Sequence, residues 1–517
     1  MFTKFYVDLK KFIKKNYRVL VYLLFVLLLF LTIFPRSVEI LNQNPVFGFD
    51  QGRDYLAAKN IVVNHHLTLI GPELGSGSAG ISGLFQGPFY YYFLALAFLL
   101  LNGNPIGGVY LMWILSVFAI LFIYYFGKKL FNFNSAILAA LLLAISPHFI
   151  AQARFAWAPY PATIFVLLSF YFTYFIFEKN SLKIFLAAFF AGFVYNFEFA
   201  VAFPLSLGLV FYALYIFREE IKNYFYLILG FLIAFSPMLL FEFRHGFLGL
   251  RNSALYLIGN KAGLLHHHST HSFFMDHLQS FILNTQNVFP TDSLMIGVIL
   301  VLTIIGVSLY YLNTDSDQKL KRFLLYLLFL IPVYFVVFSF LRNTIWNYYL
   351  TAIDLAYILL LVYIFYRSNK DKNRTIFSFA LIMVIILTVS GLFNSIKITL
   401  NDYGDYGGTA KLKGKEAALD YIFRDAGGKA FGLLVFTPPV YTYPYDYLAW
   451  WYGERKYHYI PYQKEQGVFY LLIEPDSSKP WSYKGWLQTV VKYGNVAWTK
   501  IMYNGFIIQK RVLNEKV

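Results

Sequence analysis

Residues 49–54 read F-D-Q-G-R-D and follow the first apolar run of the chain, Val19 to Phe34. Two carboxylates four residues apart, with an arginine between them, stand where a membrane would end and water begin. In a helix, Asp50 and Asp54 share a face one turn apart. Such a pair can take a proton from a hydroxyl and hold a second polar group beside it. The same residues also suit a solvated helix start, because Asp favours caps and Gly52 interrupts regularity.

The composition around this stretch points to a polytopic membrane protein. Of 517 residues, 58% are hydrophobic and only 14% are charged, with a mean hydropathy of +0.55. A soluble domain carries about 25% charged residues. The formal charge of +16 lies mostly in short basic clusters between apolar runs. That pattern suits anionic headgroups and topology, not nucleic acid. There is no cysteine, so an external domain would fold without disulfides. The first apolar run ends in Phe34-Pro35-Arg36 without a small-residue cleavage site, and reads as an uncleaved span.

Lys4, Lys10, Lys11, Lys14, Lys15 and Arg18 precede that span, which keeps the N-terminus cytoplasmic and places Asp50 outside. The next apolar run, Phe89 to Leu101, is too short to span comfortably. Counting it as a span would put Lys128, Lys129 and most later basic loops outside. It is therefore read as interfacial or re-entrant, making residues 35–104 one external loop with two helices. The later apolar runs then alternate correctly with the basic clusters. Leu182 to Phe217 is divided at Asn196-Phe197-Glu198, and a second large external loop covers residues 244–290. The total is about eleven spans. No internal repeat is visible.

The chain divides into a membrane domain, 1–395, and a C-terminal extracytoplasmic α/β domain, 396–517. In the latter, Lys415 to Arg424 and Trp486 to Tyr493 have helical character, Phe431–Phe436 and Val468–Ile473 read as strands, and Val496 to Val512 as a strand pair around Tyr503-Asn504-Gly505.

Ionisable groups gather at the external ends of the spans: Asp50, Arg53, Asp54, Glu73, Arg154, Glu198, Arg342 and, slightly deeper, Asp354. A site at headgroup level suits a lipid-borne substrate. The runs F-D-Q-G-R-D-Y-L-A-A-K-N-I, L-I-G-P-E-L-G-S-G and L-F-Q-G-P-F-Y-Y-Y-F-L-A resemble the first external loop of GT-C class glycosyltransferases, notably protein O-mannosyltransferase-like enzymes and lipid A aminoarabinose transferases. A-I-S-P-H-F-I-A-Q-A-R-F-A-W-A-P and N-Y-Y-L-T-A-I-D extend the resemblance over roughly residues 15–395.

The resemblance implies a GT-C fold and transfer of a sugar from a polyprenyl-phosphate carrier to a glycan, lipid or protein hydroxyl, with inversion. Asp50 would be the general base. Arg154 and Arg342 would stand near the leaving phosphate, with interfacial anchoring as their plainer role. Gln51 and Asp54 would orient the base or sugar hydroxyls. Arg53, Glu73, Gln86, Glu198, Asn347, Tyr348 and Asp354 complete the candidate substrate-binding set. Many relatives carry a second acidic residue just beyond the arginine, whereas Phe155-Ala156-Trp157-Ala158-Pro159 has none. That favours a mechanism without a metal cofactor, with Glu198 or Asp354 as substitutes if a divalent ion is used.

His266, His267, His268, His271 and His277 could bind a transition metal but read more simply as a polar loop. Tyr441 to Tyr445 and Trp450-Trp451-Tyr452 could stack on glycan rings, or could equally be core. Two rival functions are a lipid or polysaccharide transporter and a transferase for diphosphate-linked oligosaccharides. The expected location is the plasma or inner membrane, with the site on the outer face.

Overall fold

The computed structural model describes residues 17–74, 83–218, 220–258, 270–339, 345–405, 408–438, 441–476 and 478–513. In chain order, α1 (Tyr17–Ile33) is followed by short α2 (Val38–Asn42), then α3 (Phe49–Val62), which carries the quoted stretch, and α4 (Phe89–Leu100). Helices α5 (Ile106–Leu130), α6 (Phe133–Ile145), α7 (Pro147–Arg154), α8 (Ala162–Phe175), α9 (Ser181–Phe193), α10 (Phe199–Phe217), α11 (Ile221–Ala234) and α12 (Ser236–Arg244) build the first half of the bundle. The second half comprises α13 (Leu248–Ile258), α14 (Thr270–Val288), α15 (Leu294–Thr314), α16 (Gln318–Ser339), α17 (Thr351–Lys370) and α18 (Arg374–Tyr403).

Local chemistry sets these boundaries. Asn132, Asn180 and Asn373 cap α6, α9 and α18 by accepting from Ser135, Lys183 and Ile376 N–H at 2.9, 3.1 and 3.2 Å. Pro147 and Pro237 fall at helix starts, where a missing N–H costs little but the preceding helix cannot continue. The chain bends there by 61° between α6 and α7 and by 67° between α11 and α12. Arg36 is fully buried and gathers the open ends of two helices, donating to the Leu31 and Ala144 carbonyls, each at 2.9 Å.

Among the described residues, six helices are long and apolar enough to cross a membrane, or eight structures if each bent pair forms one span. Three further apolar helices, in α1, α8 and α9, are shorter. Each of the eleven expected windows thus contains an apolar helix or bent pair, but six meet the length of a span unaided. Helix α4, with 12 residues, is about 18 Å long and does not reach across a bilayer. Side chains such as Phe118, Leu121, Ile382 and Phe393 face outward, whereas α17 is buried nearly all round and is the centre of the bundle. The protein is a multi-pass membrane protein.

The basic clusters meet at one end of the bundle. Lys183 and Lys319 both pair with Glu178, and both lie over the Phe175 ring, at 4.3 and 4.1 Å. The early lysines, residues 4–15, and Arg342 lie outside the described residues, as do His266, His267 and His268 and the His271 side chain.

The expected external loop at 244–290 carries α13 and α14 over most of its described part. Helix α14 packs Phe274 and Phe281 on Phe335 and buries His277 and Asn284, so its apolar and polar residues serve opposite neighbours. The boundary at 395 also falls inside a helix, since α18 runs to Tyr403.

Beyond it lie α19 (Leu412–Ala426), β1 (Gly432–Phe436), α20 (Tyr443–Tyr452), β2 (Val468–Ile473), α21 (Ser482–Thr489), β3 (Asn495–Ile501) and β4 (Ile507–Val512). The sheet order is β1-β2-β4-β3, with β1 and β2 parallel and the other pairs antiparallel. The 486–493 helix starts earlier than expected, at Ser482, and α20 was not anticipated because its six aromatic positions hide a helical period. Pro444 at its start presets the backbone for a helix.

This C-terminal unit grips the first loop. Phe47 N–H donates to Ala410 O at 3.0 Å and Leu412 N–H to Pro45 O at 2.9 Å, a short ladder across nearly the whole chain. Helix α20 lies on α3 so closely that a Cβ on Gly52 would stand 2.3 Å from Pro444 N. The Tyr447 hydroxyl donates to Gly103 O, and the Trp451 indole N–H to Asn102 O at 3.2 Å.

Gly52→Ala therefore forces backbone apart, with an expected loss of about 1–3 kcal/mol. Thermal melting of the purified protein should show a lowered transition; an unchanged transition would contradict this packing.

Candidate active site

Helix α3 begins at Gly48, whose N–H donates to the Gln51 side-chain oxygen at 3.0 Å. The Gln51 amide N–H in turn donates to Ala156 O at 2.8 Å. Gln51 is buried; the oxygen of its amide caps α3, and the nitrogen holds the helix against the segment after Arg154. It positions the helix; the expected contact with sugar hydroxyls would require breaking this brace.

The two carboxylates of α3 have different surroundings. Asp54 is fully buried, with Oδ1 receiving Arg53 Nε–H and Nη2–H at 2.8 Å each. Asp50 keeps 32% of its side chain exposed and pairs through Oδ1 with Arg53 Nη1 at 2.9 Å. Burial opposes the charge on Arg53, but Asp54, Tyr91 and Asp50 outweigh it and hold the guanidinium above its usual range. Tyr90 and Tyr91 of α4 enclose the Asp54 side of the cluster. The positive end of the α3 backbone further favours the Asp50 carboxylate.

A second group links the first loop to later helices. Gln86 is buried and its amide stands 3.4 Å from Glu198 Oε2. Glu198 begins α10, its Oε1 accepting from Ala200 N–H at 3.1 Å. Tyr348, in the single turn Asn347–Leu350, lies with Tyr349 in the electrostatic field of Glu198. The Tyr348 ring also meets Trp157 at 4.7 Å, so the 155–160 segment joins this group to the Gln51 brace. Asn347 is exposed beside it. Burial pushes the Glu198 carboxyl up to about 8, against the Ala200 N–H. A proton on Glu198 also fits Gln86, whose Oε1 has no hydrogen-bond partner among the described residues; turning the amide over lets it accept that proton.

Other candidates fall elsewhere. Arg154 donates to both Glu39 oxygens, at 2.8 and 2.6 Å, and to Asp402 Oδ2 at 2.7 Å. Its charge is already matched by two carboxylates, neither of which stood out in the sequence. Asp354 lies buried in α17, where Asn284 Nδ2 donates to it at 2.6 Å and His148 Nε2 is 3.7 Å away. Gln152, Thr163 and Thr351 continue that polar cluster. The i, i+4 spacing of His148 and Gln152 was the available signal. Glu73 accepts from Gly83 N–H at 2.7 Å and tethers the first loop. Among the described residues, no group of three or more His, Asp or Glu side chains could hold a metal ion.

Residues 86–241 match the family described as dolichyl-phosphate-mannose-protein mannosyltransferase. The overall fold is that of ArnT from Cupriavidus metallidurans bound to undecaprenyl phosphate, with a TM-score of 0.53, 10% identity, and 95% of this chain and 98% of that chain covered. The chain has the GT-C fold of these membrane enzymes. The apo form of the same ArnT gives a TM-score of 0.53 at 12% identity over 96% of this chain and 98% of that one. The oligosaccharyltransferase AglB from Archaeoglobus fulgidus, in complex with an inhibitory peptide and a dolichol-phosphate, gives 0.51 at 14% identity over 98% of this chain and 75% of that one. No curated protein matches the chain by sequence.

The Glu198 shift has a measurable consequence for stability. Between its ordinary value of 4.5 and about 8, the folded protein holds a proton that the unfolded chain has lost, so this group's contribution to stability falls as pH rises through that window. Glu198→Gln, which mimics the protonated form, should gain in melting temperature relative to wild type from pH 5 to 8 and level off above. A difference that does not vary with pH would contradict the assignment.

Proposed function

We propose that the enzyme transfers a sugar from a polyprenyl-phosphate donor to an acceptor hydroxyl at the outer membrane face, with Asp50 as general base. The observation that carries this reading is the contrast within α3: Asp54 is locked under Arg53, while Asp50 is held by one oxygen and remains partly exposed. A carboxylate restrained in this way has a lone pair available for a hydroxyl proton. As the proton passes to Asp50, the acceptor oxygen attacks the anomeric carbon. The carbon–oxygen bond to phosphate breaks, and polyprenyl phosphate leaves with the bonding pair. Attack from the face opposite the phosphate inverts the anomeric centre.

The leaving group is an acidic phosphate, so it needs positive charge more than a proton. Arg154 would reach it by exchanging Asp402, the more exposed of its two partners at 41% against 10% for Glu39. Arg342 would be the second cation. The basic end formed around Glu178 would face the cytoplasm by the positive-inside rule, leaving Asp50 and the C-terminal unit outside in a plasma or inner membrane. No step in this scheme is assigned to a metal cofactor.

Purified protein incubated with radiolabelled undecaprenyl- and dolichyl-phosphate sugars should release sugar from at least one donor, in EDTA as without it. Asp50→Asn should lower that turnover by about 10²–10⁴-fold, while the fold, followed by melting, persists. Undiminished turnover in Asp50→Asn would sink the assignment, and activity abolished by EDTA would require a metal.

A further inference from the structure

Helix α20 has two working faces. One lies against α3 at Gly52 and against the carbonyls of Asn102 and Gly103. The other, with Thr442, Asp446 and Trp450, walls an open cleft of about 240 Å³ in the C-terminal unit. Leu434 of β1, Gln463 and Trp486 of α21 lie across from it. That is somewhat below the roughly 300–1,000 Å³ of drug-sized sites and leaves room for a single small ring.

The lining chemistry is selective. Asp446 receives the Thr442 hydroxyl on Oδ2 and the Gln463 amide on Oδ1, each at 2.9 Å. Both partners are neutral, and no cation pairs with Asp446 among the described residues. An anionic ligand such as a phosphate would therefore meet an unmatched negative charge. Hydroxyl groups would not: each carboxylate oxygen retains accepting capacity, and the Gln463 carbonyl and Thr442 oxygen offer more. Two indoles and the apolar β1 side chains supply the surface on which the C–H face of a sugar ring packs. One ring with hydroxyls on its edge and an apolar face matches both walls.

We propose that this cleft is a saccharide subsite that holds one pyranose of the glycan receiving the transferred sugar, an assignment that rests on the transfer reading above for the word acceptor. The cleft lies across α20 from the helix that carries Asp50. A glycan seated there is held by the same element that fixes the base.

The test uses the full chain in lipid nanodiscs without donor, and saturation-transfer NMR with mannobiose, cellobiose, maltose and diacetylchitobiose. At least one should bind in the millimolar range, with inorganic phosphate failing to compete. Trp486→Ala and Asp446→Asn should weaken binding roughly tenfold or more. Gln463→Ala, at an exposed position where folding is not at stake, should weaken it several-fold. No binding of any disaccharide to wild type, or equal binding to all three variants, would overturn the proposal. Trp486→Ala should leave the donor KM unchanged when polyprenyl-phosphate sugar is hydrolysed without acceptor; a raised donor KM would give the cleft to the donor and overturn the acceptor assignment. Asp50→Asn should retain disaccharide binding, so a failure of the transfer reading and a failure of the cleft are told apart.

Discussion

The close approach of two backbones at Gly52 is the constraint on which the site depends. With no side chain there, α20 lies directly on α3, and any Cβ would strike Pro444. This contact fixes the N-terminal turn of α3 from one side. The Gln51 brace to Ala156 fixes it from the other. Asp50 therefore projects from a helix whose position is set by two parts of the chain distant in sequence, so it does not depend on the intrinsic stability of a 14-residue helix. The C-terminal unit has a structural part in the membrane domain's site: its ladder at residues 45–47 and its aromatic anchors on residues 102–103 close the first loop around α3.

Charge is distributed with the same economy. Arg53 is shared between a buried carboxylate and a partly exposed one, so its own desolvation is offset while Asp50 is oriented. Arg154 is likewise shared between Glu39 and Asp402 and ties α2, α7 and α18 together. An arginine whose charge is already matched can yield a partner to an incoming phosphate, whereas an unmatched one at that depth would be costly before any substrate arrived. Deeper in the bundle, Asp354 is accommodated by Asn284 and the His148 cluster on the most enclosed helix.

Much of the architecture was legible because apolar runs and basic clusters obey strong rules: each expected window contains an apolar helix or bent pair, and the strands of the C-terminal sheet fall close to their expected places. Helix α20 was hidden, because Tyr, Pro and Trp in succession show no clear period, and its helical state depends on packing against α3 and α4. Helix α14 was hidden by its histidines and short apolar stretches, whose partners on α16 and α17 are not visible in sequence. At the site, the acidic pair and its arginine were visible from spacing. The division of labour between Asp50 and Asp54 was not, since it depends on which side of the helix α4 covers. Glu39 and Asp402 were missed for a similar reason: 363 residues of separation, from 39 to 402, leave no local pattern.

In the proposed reaction the donor's reacting carbon meets the N-terminal turn of α3. The most direct measurement is a cryo-EM structure of the Asp50→Asn protein in nanodiscs with an intact polyprenyl-phosphate sugar bound. Density for the sugar is expected beside residue 50, leaving room for an acceptor oxygen roughly 3 Å from that side chain, with the phosphate toward Arg154. A headgroup bound elsewhere, above all at the basic end around Lys183 and Lys319, would contradict it.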